Sequence, residues 1–471
     1  TTREIYGCAK CADEPSCNTQ FIAKRLDFFM KTYSYSQIWR IAYPILISML
    51  MEQLVGMTDA AFLGRVGEIE LGASALGGIF YIAVFMLGLG FSIGAQILIG
   101  RRNGEGNYLS IGNIFYHSVA FLLITATVLF ILARLFAPMI LNAIIASPAV
   151  ATAANDYLHW RVPGFFFAFV TVMFRAFYVG TTNTRTLTLN SMTMVLCNVI
   201  FNYVLIFGKL GLPAFGIAGA AMGSTLAEGV SLLFFIIYTR LRIDYRKYGL
   251  HQLPHFRLNL LGNILGMSLW TMLQNFLSLA TWFLFFLSVE HLGERDLAVT
   301  NIIRNISSFS FMTVIALAST ASTLVSNLMG QREVEAVPGM LRRTVFMGYV
   351  ILTPLLLFEL LFPETVLGIF TNETALIDAG RAPLYVLVSS YLITIPGQIY
   401  FHAVSGTGNT RTALAFELAA LAIYTVFVVV VIFHLKAPLY VCWLSEHIYA
   451  VFAFLFTWQY MRRGNWRNKQ I

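Results

Sequence analysis

Three of the carboxylates that lie inside long apolar segments of this 471-residue chain are candidates for chemistry. They are Asp59, Glu52 and Glu228. A charged side chain near the centre of a membrane span costs about 2.5–3.5 kcal/mol on insertion scales, and such residues typically belong to an ion or proton pathway. The chemistry that these residues predict is reversible binding of a small cation.

Amide and hydroxyl side chains lie at nearly the same predicted depth as the first of these acids. Asp59 precedes Gly64 by five residues, which puts it about 8 Å from the outer end of its span at 1.5 Å per residue. On the same scale, Asn202 and Asn198 lie at about 9 and 15 Å on one helix face, and Ser224 lies at about 12 Å. We predict that these four side chains form a cation-coupling site. Such a site suits a small hard cation or a proton-linked hydrogen-bond network.

Two further acids form a deeper layer. Glu52 precedes Asp59 by seven residues, at about 18 Å, and Glu228 shares a helix face with Ser224. Carboxylates that lie close together titrate as a pair, as a proton carrier requires. We therefore add Glu52 and Glu228 to the predicted coupling site. Arg161 and Arg175 lie near span ends and are expected to extend toward the interface.

The amino-acid composition indicates that membrane-spanning helices position these side chains. Hydrophobic residues make up 58% of the chain and charged residues 11%, with a mean hydropathy of +0.72. Soluble proteins carry about 25% charged residues, so a soluble enzyme is excluded. The apolar segments predict an all-α polytopic fold with twelve spans. Their approximate ranges are 37–64, 71–99, 111–141, 152–179, 186–208, 215–240, 259–291, 297–328, 343–363, 376–405, 412–434 and 438–461.

Basic residues are concentrated in alternate loops. The net charge is +8, and its placement at span ends favours a topological role over nucleic-acid binding. The positive-inside rule puts the Arg-rich loops and both termini in the cytoplasm. We expect a multi-pass protein of a bacterial inner membrane, in contact with lipid and monomeric.

Three cysteines, Cys8, Cys11 and Cys17, lie close together near the N-terminus. A closed zinc site needs four ligands, and no fourth cysteine or nearby histidine is present. We interpret this group as incidental, with a metal or redox site as the alternative. No cofactor or bound metal is expected, apart from the transported cation.

An internal repeat divides the chain in two. The segment 180–186, Gly-Thr-Thr-Asn-Thr-Arg-Thr, recurs at 406–412 as Gly-Thr-Gly-Asn-Thr-Arg-Thr, 226 positions later. Gly67-Glu68 recurs at the same offset as Gly293-Glu294, and Gly100 has an echo in Gly330 with a small slip. Two parallel six-span units predict two lobes and an alternating-access transporter. The predicted parts are an N-terminal tail (1–34), an N-lobe (35–242), a linker (243–258), a C-lobe (259–462) and a C-terminal tail (463–471).

Several motifs together resemble the multidrug and toxic compound extrusion (MATE) family over residues 35–461. They include the segment from Gly56 to Gly67, Gln96 to Asn107, Gly180 to Arg185 with Asn198 to Gly208, and Gly216 to Ala221. The resemblance is closer to bacterial branches other than NorM. It implies a V-shaped two-lobed fold that exports amphipathic, often cationic, compounds in exchange for Na⁺ or H⁺.

The chain departs from the family pattern at several positions. Asn202 replaces a usual aspartate, and the seventh span has Gln274 and Asn275 in place of an acid. Glu52 or Glu228 is therefore hypothesised to supply the charge that Asn202 lacks. Pro44 removes a backbone hydrogen bond within the first span and predicts a hinge. Candidates for the substrate cavity are Tyr178, Gln274, Trp282, Gln398, Tyr400 and His402.

Two alternatives to an antiporter stay open. A lipid-linked oligosaccharide flippase of the same superfamily would present inward-facing Arg and Lys for pyrophosphate, and more than twelve spans. A polytopic membrane enzyme would require a catalytic motif, and the sequence contains no His-Glu-x-x-His. Walker A is also lacking, which favours an ion gradient over ATP as the energy source.

Overall fold

Long helices make up nearly all of the protein in the computed structural model, which describes residues 33–252 and 254–469. A capping box starts the first helix, since Gln37 N–H donates to Ser34 Oγ and Ser34 N–H donates to Gln37 Oε1. The helices are α1 (Tyr35–Leu63), α2 (Glu68–Gly104), α3 (Tyr108–Ile144), α4 (Pro148–Arg161), α5 (Gly164–Gly180), α6 (Arg185–Phe207), α7 (Gly216–Arg242), α8 (Leu258–Glu290), α9 (Glu294–Gly330), α10 (Val337–Leu361), α11 (Pro363–Gly368), α12 (Thr374–Gly406), α13 (Thr410–Val429), α14 (Leu439–Cys442) and α15 (Ser445–Arg463). The cysteines at 8, 11 and 17 lie outside the described residues.

The predicted all-α polytopic fold is confirmed. Eleven helical segments are long and apolar enough to cross a membrane, and the bent pair α4 and α5 makes up to twelve. That pair turns by 52° at Val162 and Pro163. Proline cannot donate the backbone hydrogen bond that a continuous helix requires, which accounts for a break here. Several helices are longer than their apolar segments, because polar turns continue the helix past the hydrocarbon layer.

The two halves repeat with an offset of 226 residues. Helix α2 runs over 68–104 and α9 over 294–330, while α4 and α5 together run over 148–180 and α12 over 374–406. This offset makes Gly104, rather than Gly100, the counterpart of Gly330, so the slip expected from the sequence disappears. We refer to α1–α7 as the N-lobe and α8–α15 as the C-lobe.

The lobes contact each other where α2 crosses α8 and α9. Gln96 Nε2 donates to Thr323 Oγ1 at 2.9 Å, and Asn103 Nδ2 donates to Asn327 Oδ1 at 2.7 Å. Asn327 also donates to the carbonyl oxygen of Gly180 at 3.1 Å. These contacts lie in the halves of α2 and α9 that lead into Arg-rich loops. The lobes are therefore in contact on the side that the charge pattern assigns to the cytoplasm.

Gly94 allows this close crossing, and its replacement gives a test. A Cβ at Gly94 would lie 2.5 Å from Ser268 Cα in α8, whereas a Cβ at Gly72 in the same helix would meet nothing within 4 Å. We expect Gly94→Ala to lower the melting temperature in detergent, since overpacking costs about 1–3 kcal/mol. Gly72→Ala should leave it unchanged or raise it, because alanine favours a helix over glycine by about 1 kcal/mol. Equal shifts in the two variants would contradict the crossing.

Candidate functional site

Four predicted residues meet in the N-lobe, where α1, α6 and α7 pack together. Asp59 lies on α1, Asn198 and Asn202 on α6, and Ser224 on α7. Asn202 Nδ2 donates to Asp59 Oδ1 at 2.5 Å, and Ser224 Oγ donates to Asp59 Oδ2 at 2.8 Å. Asn198 Nδ2 donates to Ser224 Oγ at 3.1 Å, and its Oδ1 accepts from Asn202 at 3.1 Å. The four side chains thus form one connected network.

This network leaves an oxygen available for a cation. Asn202 Oδ1 is buried and accepts no hydrogen bond from any residue that the structure describes. A buried polar atom without a partner carries a desolvation penalty of about 1–3 kcal/mol. Gly223 leaves room for it, because a Cβ there would collide with the Asn202 side chain. Carboxylate, amide and hydroxyl oxygens are the donors that a hard cation prefers.

Glu228 lies near this network but has a cationic partner of its own. Arg161 Nη2 lies 2.5 Å from Glu228 Oε1, and Tyr81 Oη donates to both carboxylate oxygens at 2.9 and 3.0 Å. The guanidinium of Arg161 also stacks on the Tyr81 ring, 3.7 Å from its centroid. The arginine that ends α4 therefore points inward, and the expectation that it extends toward the interface is wrong.

Glu52 is paired in the same way. Arg175 Nη1 lies 2.7 Å from Glu52 Oε1, so Arg175 also faces a carboxylate rather than the interface. Ser48 Oγ donates to Glu52 at 3.4 Å and contacts Ser191 Oγ at 2.7 Å. Each of the two glutamates thus has an arginine partner, whereas Asp59 has only neutral hydrogen-bond partners within the described part of the chain. Participation of Glu52 and Glu228 in coupling stays a prediction.

Pro44 lies inside α1 and leaves the carbonyl oxygen of Arg40 without its helical donor. Thr184 Oγ1 lies 3.5 Å from that oxygen, and Thr188 Oγ1 donates to the Pro44 carbonyl at 3.3 Å. The hydroxyl of Thr184, the residue before α6, thus partly replaces the donor that proline removes from α1, and Thr188 links α6 to the same turn.

Pro44→Ala should restore the backbone donor and stiffen α1. We expect a lower transport rate at unchanged expression, because bending of α1 would become more costly, by up to about 3 kcal/mol. Initial efflux rates, normalised to protein in the membrane, measure this effect. Unchanged rates would argue against a hinge at this position.

A second polar centre lies in a cavity of about 390 Å³ within the C-lobe. Of the six candidates for the substrate cavity, Trp282 and Gln398 are among the residues that line this one, and the other four are not. Tyr178 is buried in the N-lobe, with its hydroxyl 2.6 Å from Thr239 Oγ1. The remaining candidates outside the lining are Gln274, Tyr400 and His402.

Glu417 and Glu446 also line this cavity, and the sequence analysis missed both. Glu417 accepts from Ser278 Oγ at 2.6 Å and from Tyr449 Oη at 3.0 and 3.1 Å. By the repeat offset, Ser278 corresponds to Glu52, while Glu417 corresponds to Ser191. Each lobe therefore holds a carboxylate and a serine at equivalent positions, with the two residue types exchanged between helices.

The two six-span lobes, with carboxylates held inside each, define a polytopic membrane transporter. The MatE family profile matches residues 44–204 and 271–452, so the chain belongs to the MatE family. Its relatives include proteins named for multidrug resistance, and its fold neighbours are transporters of the MATE family or the MOP superfamily, in agreement with the resemblance seen in the sequence.

Relatives in bacteria support this assignment. The probable multidrug resistance protein NorM of Thermotoga maritima is 26% identical, over 79% of this chain and 80% of its own length. The multidrug resistance protein MdtK of Pectobacterium atrosepticum is 24% identical over the same shares. These relatives give no support to the expected position closer to branches other than NorM.

Solved structures share the fold. A multidrug resistance MATE transporter of the MOP superfamily in an outward-facing conformation has a TM-score of 0.84 at 19% identity, covering 93% of this chain and 97% of its own. A MOP superfamily transporter from Pyrococcus furiosus has a TM-score of 0.83 at 19% identity, with the same coverage. The eukaryotic MATE transporter AtDTX14 has a TM-score of 0.77 at 18% identity, covering 92% and 96%.

Proposed function

We propose that this protein is a cation-coupled antiporter that exports amphipathic, cationic drugs or metabolites in exchange for H⁺ or Na⁺. The observation that carries the proposal is the Asp59 network. A single carboxylate there accepts two hydrogen bonds from neutral side chains and lies beside the unpartnered oxygen of Asn202. Either a proton or a sodium ion at Asp59 would neutralise its charge and supply that oxygen with a partner.

Coupling to transport would run through the helices that share the network. Asp59 and Pro44 both lie on α1, and α1 contacts α6 in its own lobe and α9 in the other. A cation at Asp59 would change the hydrogen bonding between α1, α6 and α7. Bending of α1 at Pro44 would then alter its contact with α9 and favour separation of the lobes. The proposed location is a bacterial inner membrane, with both termini in the cytoplasm.

A lipid-linked oligosaccharide flippase is less well supported. Its pyrophosphate substrate would require inward-facing cations that are free to bind phosphate. Such a substrate calls for a cluster of these cations, whereas Arg161 and Arg175 are each bound to a glutamate at 2.5 and 2.7 Å, and the lining of the C-lobe cavity contains a single arginine, Arg304, and no lysine. The described helices also give at most twelve spans.

Dye transport into everted membrane vesicles tests the proposal. In everted vesicles the cytoplasmic face of the membrane is on the outside, so an efflux transporter moves dye into the lumen. Dye therefore accumulates inside when the coupling cation gradient is imposed. When a Na⁺ gradient and a pH gradient are imposed in separate experiments, we expect one of the two to drive accumulation. We expect no accumulation when both gradients are collapsed. Accumulation that persists without either gradient would overturn cation coupling.

A further inference from the structure

Two opposite charges that have no ion-pair or hydrogen-bond partner among the described residues face the C-lobe cavity. Its lining residues include one cationic side chain, Arg304 on α9, and two carboxylates, Glu417 and Glu446. Glu417 is satisfied by Ser278 and Tyr449. Within the described part of the chain, neither Arg304 nor Glu446 makes an ion pair or a side-chain hydrogen bond. One guanidinium and one carboxylate are thus left for something else to bind.

The position of Arg304 shows why it does not neutralise the acids. Its guanidinium lies over the rings of Trp282 and Phe286, 5.4 and 5.3 Å from their centroids. A cation–π contact uses none of the guanidinium N–H groups as hydrogen-bond donors to oxygen, so they are left for a carboxylate or another planar anion. Among the described residues no carboxylate oxygen lies within 4 Å of this guanidinium, so neither glutamate of the cavity forms an ion pair with it.

Aromatic side chains form part of the cavity wall. Tyr391, Tyr424, Trp443 and Tyr449 line the cavity together with Trp282. Aromatic rings bind both flat apolar groups and organic cations. A volume of about 390 Å³ falls within the range of pockets for small organic ligands, which is about 300–1,000 Å³.

Leaving a guanidinium and a carboxylate unpaired in a partly buried site is unfavourable, and a ligand that pairs with both relieves it. A purely cationic ligand would satisfy Glu446 and repel Arg304. We infer that the C-lobe cavity binds an amphipathic zwitterion, whose cationic group faces Glu446, whose aromatic body lies between the rings and whose carboxylate binds Arg304. This inference rests on the proposed export function and specifies, for the C-lobe cavity, substrates whose cationic group is accompanied by a carboxylate.

A matched pair of dyes tests the inference directly. A rhodamine with a free benzoate is a zwitterion, and the methyl ester of the same dye keeps the cation and lacks the carboxylate. Their binding to the purified full chain in lipid nanodiscs can be measured by fluorescence anisotropy, which requires no ion gradient. Wild-type protein should bind the zwitterion more tightly than the ester.

Three variants assign the two ends. Arg304→Gln should weaken binding of the zwitterion by about tenfold, the scale of one charge-assisted hydrogen bond, and leave the ester unchanged or bound more tightly. Arg304→Lys should restore part of the preference, since it keeps the charge. Glu446→Gln should weaken both dyes about equally. Arg411→Gln is the control, because Arg411 also stacks on a tryptophan, Trp270 at 5.6 Å, but does not line the cavity.

Several outcomes would overturn the inference. Equal loss of both dyes in Arg304→Gln would assign Arg304 a role in packing, and an unchanged preference would show that it does not contact the carboxylate. Unchanged binding of both dyes in Glu446→Gln would show that Glu446 does not contact the cationic group of the ligand. Because the assay measures binding alone, its failure is distinguishable from a failure of cation coupling, which the vesicle experiment reports.

Discussion

Asp59→Asn is expected to abolish gradient-driven export while leaving the protein folded. Asparagine fits the same space and still faces Asn202 and Ser224, but it cannot carry the negative charge that binds a cation. Hydrogen bonds and contacts to a charged group contribute about 1.5–3 kcal/mol, so we expect a loss of about ten- to hundredfold in cation affinity. Dye accumulation in everted vesicles measures the effect.

The control for this variant is Asp378→Asn. Asp378 lies on α12 with 67% of its side chain exposed, and its partner Arg381 also pairs with Glu364. We expect this change to leave transport at the wild-type level. Wild-type coupling in Asp59→Asn, at equal expression, would remove the carboxylate from the mechanism.

Arg161→Gln is expected to give a large loss of stability. It would leave Glu228 without its cation in a site where the two side chains are only 11% and 16% exposed. Breaking a buried pair from one side costs about 3–5 kcal/mol, whereas removing both charges is often nearly neutral. The double variant Arg161→Gln with Glu228→Gln should therefore recover much of the lost stability, as measured by thermal unfolding in detergent.

An exposed ion pair provides the comparison. Glu364→Gln removes one partner of Arg381, whose own side chain is 41% exposed, and exposed pairs contribute about 0–1 kcal/mol. Its melting temperature should be close to that of the wild type. If Arg161→Gln were equally mild, the buried pair would not stabilise the N-lobe. Transport by the double variant further separates a structural role of Glu228 from a role in coupling.

The N-lobe network was accessible from sequence because its geometry is nearly local. Helical rise and the i, i+4 relation fix the depths and faces of Asn198 and Asn202 relative to each other, and span ends fix the depths of Asp59 and Ser224. The repeat offset of 226 residues was also accessible from sequence, whereas the equivalence of Gly104, rather than Gly100, with Gly330 became clear from the matching ends of α2 and α9. Sequence periodicity does not report where such a helix stops.

The arginine pairs depend on features that are not local. Arg161 turns toward Glu228 because α4 ends in a 52° bend before α5, which a continuous span over 152–179 does not predict. Tyr178 and Trp282 are both aromatic residues in apolar helices, and only the rotation of each helix within its lobe decides which one lines a cavity. Glu417 and Glu446, by contrast, could have been predicted from sequence. Like Asp59, each is a carboxylate within an apolar span.

Exchange of a cation for substrate is the central claim, and reverse operation tests it most directly. Protein in sealed liposomes is given an outward or inward dye gradient with no ion gradient, and cation movement is followed with a pH-sensitive or a Na⁺-sensitive indicator. The account predicts cation flux opposite to dye flux for one of the two ions, absent in Asp59→Asn and present in Asp378→Asn. Dye movement with no accompanying flux of either ion, or a flux that Asp59→Asn retains, would contradict it.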